Sequence, residues 1–315
     1  MKRISFSIIG TFVRAIVLIT ASPALADNGP HGGYTALTDA CAGCHRAHTA
    51  AASRLLVQNV PQLCYSCHGN TGAGADTNVV DGIYLERDSV VEAPPEGVAN
   101  RGLKGGGFTS ALMDTDYDGL AAPVSVSSNH LADGSTGTAW GNGAIGSGAG
   151  ALNFALSCVS CHDPHGRAST TRGPTYRLLR ATPINSGAPS GVNVADQAAK
   201  YYVVADVDNQ YFGENYGARG TSLSAWCSQC HTRYLAGAGS GNTNSGDPIF
   251  AYRHMSNAAS VNCVTCHVAH GTAASMGFYS GAVRWPDGST APNGDNRSSL
   301  LRVDNRGVCE LCHMK

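Results

Sequence analysis

An apolar run lies at the beginning of this chain, and a long later stretch has few regular patterns of apolar residues. Ile4 to Thr20 is mostly apolar, whereas Thr71 to Ser157 has few runs with the 3.6-residue period of an amphipathic helix and is interrupted by glycines such as Gly105 to Gly107. Segments of this kind are typical of loops. We therefore expect a chain that is mostly coil, with a few short strands around Tyr201 to Val207.

The first 26 residues have the pattern of a secretory signal peptide. Lys2 and Arg3 precede the apolar segment, and Ala24-Leu25-Ala26 supplies a small-residue cleavage site. A membrane anchor is the alternative, but Arg14 interrupts the apolar segment and leaves it short of a spanning length. We expect cleavage after Ala26, secretion, and no membrane span in the mature chain.

The composition excludes several classes of protein. Charged residues make up 14% of the chain, the net charge is −1 at pH 7, and there are 39 glycines. A helical bundle or an ordinary α/β enzyme would have more charge and less glycine. Nucleic acid is not an expected partner, because the chain has no basic stripe that could neutralise phosphates.

All twelve cysteines lie in six copies of the motif Cys-x-x-Cys-His. The cysteine pairs are Cys41 and Cys44, Cys64 and Cys67, Cys158 and Cys161, Cys227 and Cys230, Cys263 and Cys266, and Cys309 and Cys312. The motif histidines are His45, His68, His162, His231, His267 and His313. Two thiols at this spacing can bond to the two vinyl groups of one porphyrin, and the adjacent histidine can bind its iron. Disulfides and zinc ribbons are the alternatives, but neither requires a histidine after every second cysteine. The motifs predict six covalently bound haem c groups and a short helix at each motif.

The remaining histidines match the number of iron atoms that would need a second axial ligand. They are His31, His48, His130, His165, His254 and His270. The alternative ligands are methionines, namely Met113, Met255, Met276 and Met314. We favour two histidines at every iron. A haem ligated in this way has no open position for a substrate, which predicts an electron carrier and not an enzyme.

The motifs form three units with the same order: a lone histidine, a Cys-x-x-Cys-His-x-x-His motif and a plain Cys-x-x-Cys-His motif. The units span residues 31–68, 130–231 and 254–313. Such repeats usually stack as an array. A histidine three residues after a helical motif histidine would lie on the same side of the helix, so it should bind a different haem.

One regular scheme of ligation follows from this repeat. His31, His130 and His254 would each complete the second haem of their own unit. His165 would bind haem one and His270 would bind haem three, although the distance of His130 from its motif leaves other irons open to it. No haem precedes haem one, so His48 would bind the fifth haem of a neighbouring subunit arranged head to tail.

The motifs and their flanking residues resemble one known family. The segments CAGCHRAH, CYSCHG, CVSCHDPHG, YRLLR, AWCSQCH, YRHM, NCVTCHVAHG and VCELCHMK are similar to those of hexahaem outer-surface c-type cytochromes that polymerise into conductive extracellular filaments. The resemblance implies a single hexahaem domain over residues 27–315, with a core of stacked and T-shaped haem pairs. It also implies that His48 ligates a haem of the adjacent subunit. The chain departs from the family in its shorter inter-motif loops and in lacking a histidine directly after His68.

Three functions follow as hypotheses. The first is a subunit of an extracellular or cell-surface filament that takes electrons from periplasmic or outer-membrane cytochromes and delivers them to acceptors such as metal oxides. The second is a monomeric periplasmic electron shuttle. The third is a multihaem reductase of nitrite, hydroxylamine or a sulfur oxyanion, for which one odd motif or one haem that lacks a distal ligand would be expected.

An acidic segment outside the motifs resembles the start of a calcium-binding loop. Asp114, Asp116 and Asp118 alternate before Gly119, but Ser125 stands where such a loop would have its closing glutamate. We favour an acidic surface turn, with calcium binding as the alternative.

Overall fold

The computed structural model describes eleven stretches of the chain. These are residues 41–69, 75–85, 101–113, 122–144, 152–165, 176–194, 218–235, 256, 261–277, 299–305 and 307. The predicted signal peptide, the sixth motif, His31, His254, the segment 201–207 and the three aspartates of the possible calcium loop lie outside the described residues. Among the described residues, no helix is both long enough and apolar enough to cross a membrane.

Short helices lie at or beside the five described motifs. The α-helices are α1 (Val60–His68), α2 (Cys158–Cys161), α3 (Ala218–Cys227) and α4 (Cys263–Cys266). Single 3₁₀ turns lie at Cys41–Gly43, Ser53–Leu55, Tyr176–Leu178 and Thr232–Tyr234. Most of the remaining described chain is irregular or forms short strands.

Capping residues explain why α2 and α4 begin where they do. Ser157 donates its backbone N–H to Ser160 Oγ at 3.1 Å, and Asn262 donates its N–H to Thr265 Oγ1 at 3.2 Å. These are capping boxes, which satisfy the free backbone groups of a first helical turn. Each helix therefore begins at the first cysteine of its motif.

Both helices end before the motif histidine. His162 has φ −106° and ψ 146°, and His267 has φ −116° and ψ 156°, which are extended conformations. The expectation that a histidine three residues later shares a helical face with the motif histidine is therefore wrong for His165 and His270. The directions of these two side chains are set by the extended chain that follows the motif.

The strands are short and antiparallel. They are β1 (Thr77–Asn78), β2 (Ile83–Tyr84), β3 (Arg101–Gly102), β4 (Ser110–Ala111), β5 (Val124–Ser125), β6 (Ser128–Asn129), β7 (Asp133–Thr138), β8 (Asn153–Ser157) and β9 (Gly271–Thr272). The pairings are β1–β2–β3, β4–β5, β6–β9 and β7–β8.

The prediction that Thr71 to Ser157 forms loop is wrong for β1 to β8, which lie within that stretch. In β7 every side chain is exposed, so its sequence Asp-Gly-Ser-Thr-Gly-Thr lacks the alternation of buried and exposed residues that would reveal a strand. Backbone hydrogen bonds to β8 hold it in place, and glycine can make them as well as any other residue.

The apolar core of the described residues consists of small clusters. Tyr84 and Leu103 form one cluster with Val79 packed against it. The other cluster contains Val194 and Leu223, with Tyr176, Leu179, Trp226 and Val264 at its edge. This second cluster packs α3 against the segment that follows the third motif, and α3 also contacts α4. The second cluster thus joins the surroundings of the third, fourth and fifth motifs.

Candidate haem-binding site

Each of the five described motif histidines is held through its Nδ1 atom. The partners are Arg54 O for His45 (2.9 Å), Thr77 Oγ1 for His68 (2.7 Å), Arg177 O for His162 (2.7 Å), Trp140 O for His231 (2.7 Å) and Ser299 O for His267 (3.0 Å). A carbonyl oxygen can only accept, so Nδ1 carries the proton in four of these rings. The lone pair is then on Nε2, as in histidines that bind a metal through Nε2.

The carbonyl acceptors at motifs one, three and five lie in three separate turns of the same unusual kind. The two central residues of each turn have left-handed backbone conformations: Arg54 and Leu55 (φ 59° and 59°), Arg177 and Leu178 (49° and 57°), and Ser299 and Leu300 (53° and 65°). Residues other than glycine occupy this region at a cost of about 1–3 kcal/mol each, and such strain is concentrated at functional sites. The sequence signal is the Leu-Leu dipeptide, which occurs three times and was missed as part of the repeat.

A backbone clip joins each of these turns to its motif. The residue after the motif histidine donates its backbone N–H to the carbonyl oxygen of the first leucine. The residue after the dipeptide donates its N–H to the carbonyl oxygen of the second cysteine. The first set of bonds is Arg46 to Leu55, Asp163 to Leu178 and Val268 to Leu300, at 2.8, 2.8 and 2.9 Å. The second set is Val57 to Cys44, Arg180 to Cys161 and Arg302 to Cys266, at 3.0, 2.8 and 2.9 Å. The clip fixes the histidine relative to its two cysteines.

An arginine closes each clip by binding the motif backbone. Arg180 Nε donates to Val159 O at 2.8 Å, and Arg302 Nε donates to Val264 O at 2.7 Å. In the first unit the position of Arg180 and Arg302 is occupied by Val57. There Arg46 Nε donates to Ala42 O, the equivalent carbonyl of the first motif, at 3.3 Å. The same carbonyl thus receives a guanidinium in all three units, from a different position in the first.

Three of the four described histidines that do not belong to a Cys-x-x-Cys-His motif have their rings about 6 Å from the ring of a motif histidine. The ring centroids of His45 and His165 are 6.0 Å apart, those of His130 and His231 are 6.1 Å apart, and those of His162 and His270 are 6.4 Å apart. An imidazole nitrogen binds a transition metal at about 2 Å, with the ring centroid about 1 Å beyond it, so two rings on opposite sides of one metal have centroids roughly 6 Å apart. His48 is exposed, and no ring contact within the described residues brings it to a motif histidine.

Burial keeps several of these imidazoles neutral. It lowers the pKa of His231 to about 4 and the pKa of His270 to about 3. Burial also lowers the pKa of His130, His162 and His267. A neutral imidazole is the form that binds a metal, so these rings are in the ligand form at neutral pH.

The cysteines of successive motifs lie next to each other. A hydrogen bond with the Cys158 thiol, together with burial, raises the pKa of Cys64, and a hydrogen bond with Cys263 raises that of Cys227 in the same way. The second thiols also interact, Cys44 with Cys67 and Cys161 with Cys230. Motifs one to five are therefore neighbours in chain order, joined alternately through their second and their first cysteines.

No disulfide joins the described cysteines, and no group of three or more histidine, cysteine, aspartate or glutamate side chains among the described residues is arranged to hold a metal ion by itself. Of the alternative methionine ligands, Met113 and Met276 are buried, while Met255 and Met314 lie outside the described residues. The donors that the structure does bring together in pairs are histidines. Pairs of imidazoles beside pairs of thiols fit a porphyrin iron with thioether links.

Comparison with known proteins agrees with this chemistry. Residues 35–73, which contain the first two motifs, match the family model described as the doubled CXXCH motif. No curated protein and no solved structure matched the chain. The doubled motif, with covalent haem c at its cysteines, indicates a multihaem c-type cytochrome that carries electrons.

Proposed function

We propose that the protein binds six haems, one at each motif, and that every iron has two histidine ligands. The ring distances support three of the pairs directly: His45 with His165 at haem one, His162 with His270 at haem three, and His231 with His130 at haem four. In the three-unit repeat, the remaining pairs follow the same scheme. His31 completes haem two and His254 completes haem six. His48 is left to bind the fifth haem of a neighbouring subunit.

The order of the motifs supports a function in electron transport along the chain. Neighbouring cysteines join motif one to motif two, and so on to motif five, so haems attached to them form a row in sequence order. Irons with two imidazole ligands have no free position at which nitrite, hydroxylamine or a sulfur oxyanion could bind. This arrangement favours an electron carrier over a reductase.

The position of His48 supports a polymer of such subunits. His48 is exposed at the first motif and is not paired with a described motif histidine. The equivalent His165 and His270 are each paired with one. A donor at one end of the row and an incomplete iron at haem five would join subunits head to tail. The secreted filament would take electrons from periplasmic or outer-membrane cytochromes and pass them to extracellular acceptors such as metal oxides.

The number of haems can be measured directly. We expect the intact mass of the mature protein to exceed that of the cleaved polypeptide by six haem groups, and the haem stain to persist on denaturing gels because thioether links survive denaturation. A double substitution of Cys158 and Cys161 by alanine serves as the control and should remove one haem. A native mass with five haems or fewer would mean that a motif is not used.

The ligation of the irons is the experiment that separates carrier from reductase. We expect every iron of the oxidised, assembled protein to be low-spin and six-coordinate, with no high-spin charge-transfer band, because each has two imidazole ligands. Added cyanide or nitrite should leave the spectrum unchanged over minutes. One stoichiometric high-spin haem in the assembled protein at neutral pH would contradict the proposal and favour the reductase.

A further inference from the structure

A carboxylate lies beside His165, the second histidine proposed for haem one. Asp163 Oδ1 is 3.5 Å from His165 Nδ1, and the same oxygen accepts the backbone N–H of His165 at 3.2 Å. Pro164 lies between the two residues and limits their relative movement, because its ring fixes φ. The local turn therefore holds the Asp163 carboxylate to the backbone of His165, and the imidazole, whose side chain is 77% exposed, lies beside that carboxylate.

The carboxylate is itself fixed from its other side. Arg180 Nη1 is 3.4 Å from Asp163 Oδ2, and Arg180 is anchored in turn by its Nε bond to Val159 O. The side chain of Asp163 is only 20% exposed. The orientation of its carboxylate therefore follows from the clip of the third motif and does not depend on a mobile surface contact.

The equivalent positions of the other two units have no carboxylate. The residue after the motif histidine is Arg46 in unit one, Asp163 in unit two and Val268 in unit three. His270, three residues after its motif histidine like His165, is stacked on the Phe108 ring, with centroids 4.7 Å apart. The two described distal histidines of otherwise matching units thus have different surroundings, one acidic and one aromatic.

We propose that Asp163 sets the reduction potential of haem one through His165 and holds it below that of haem three. A carboxylate beside Nδ1–H increases the electron donation of Nε2, as it does in carboxylate–histidine–metal arrangements. Ferric iron carries one more positive charge than ferrous iron, so the acidic neighbour stabilises the oxidised state. With a haem bound at the first motif, reduction would add one electron and His165 would keep its Nδ1 proton in both states. Asp163 is a positioning residue, since it acts through His165.

This inference rests on the proposed ligation of haem one by His165, so the two must be tested separately. His165→Gly tests the ligation, because it should turn one iron high-spin while all haems stay attached. Asp163→Asn tests the effect on the reduction potential. Asparagine keeps an oxygen that can accept the backbone N–H of His165 but removes the negative charge. A spectroelectrochemical titration of the holoprotein, with an electrode as the electron source, then measures the potentials.

In Asp163→Asn we expect all irons to stay low-spin and one component of the titration to move to higher potential. The expected change in its reduction equilibrium is about tenfold, or ~59 mV for a one-electron couple. In the converse variant, Val268→Asp, the component of haem three should move to lower potential. Asp133→Asn is the matched control, because Asp133 also accepts a backbone N–H two residues ahead, from Ser135 at 2.8 Å, at the exposed start of β7 and without a histidine at that position.

The outcomes separate the two proposals. If His165→Gly leaves every iron low-spin, the ligation of haem one is wrong. If His165→Gly creates one high-spin iron but Asp163→Asn shifts no potential beyond the shift in Asp133→Asn, the tuning proposal alone is wrong. The same holds if Asp163→Asn itself produces a high-spin iron, since Asp163 would then only orient the ring. Should Asp163→Asn fail to assemble, Val268→Asp decides: a lower potential supports the tuning, and an unchanged one overturns it.

Discussion

Replacing His48 by glycine is expected to leave six haems attached, to turn one iron high-spin and to abolish filaments. His48 is exposed and follows the first motif histidine by three residues, as His165 and His270 follow theirs. In units two and three these histidines face the motif histidine two motifs earlier, and unit one has no earlier motif. An iron–imidazole bond to the next subunit would then form each joint of the polymer. Mass spectrometry, optical spectra and electron microscopy of the purified holoprotein measure the three effects.

His165→Gly is the matched control for this experiment. It removes a histidine at the same position of the next unit and should also produce one high-spin iron, but within a subunit, so filaments should persist. Free imidazole provides a second discrimination: in His48→Gly it should restore the low-spin spectrum without restoring filaments, because it fills the iron without linking subunits. If His48→Gly still polymerises with all irons low-spin, His48 is not the joint, and a monomeric shuttle becomes the better hypothesis.

The motif chemistry was accessible from the sequence, whereas the turns that hold the motif histidines were not. Cysteine and histidine spacing is local, and covalent haem attachment depends on that spacing. The turn residues Arg54 and Leu55 have positive φ, which neither residue type favours. Their conformation is imposed by the clip to the motif, a contact between segments separated by a variable length of chain. A single Leu-Leu dipeptide does not indicate this turn. The signal becomes visible only when all three copies are found in the same position relative to their motifs.

The strands illustrate a second limit. Strand β7 has no buried side chain, so hydrophobic patterning could not reveal it. Its pairing with β8 depends on backbone hydrogen bonds, and these leave no trace in residue type. The scheme of ligation was a different case, since it came from counting histidines within repeated units. That scheme also assumed that the motif histidine and the histidine three residues later share a helical face, which fails at His162 because its backbone is extended. The ring distances support the pairs of His165 and His270 independently of that assumption.

One backbone contact positions two of the proposed distal ligands together. Gly106 has φ +68° and forms a parallel bridge with Gly271, the residue after His270. Gly271 begins β9, which pairs with β6, and the backbone N–H of His130 after β6 donates to His270 O at 2.8 Å. The position of His270, and through it that of His130, therefore depends on the close approach of two glycines.

Gly106→Val is accordingly expected to produce two high-spin irons, at haems three and four, with all haems still attached. A Cβ at Gly106 would collide with the carbonyl oxygen of Gly271, and a β-branched side chain is strained at positive φ. The bridge must open, and both distal histidines shift with β9. Gly137→Val in β7 is the control, because a Cβ there meets no atom within 4 Å. Quantitative spectra of the two variants measure the effect. A change confined to one iron would show that His130 is held independently of His270, and an unchanged spectrum would show that the bridge positions neither histidine.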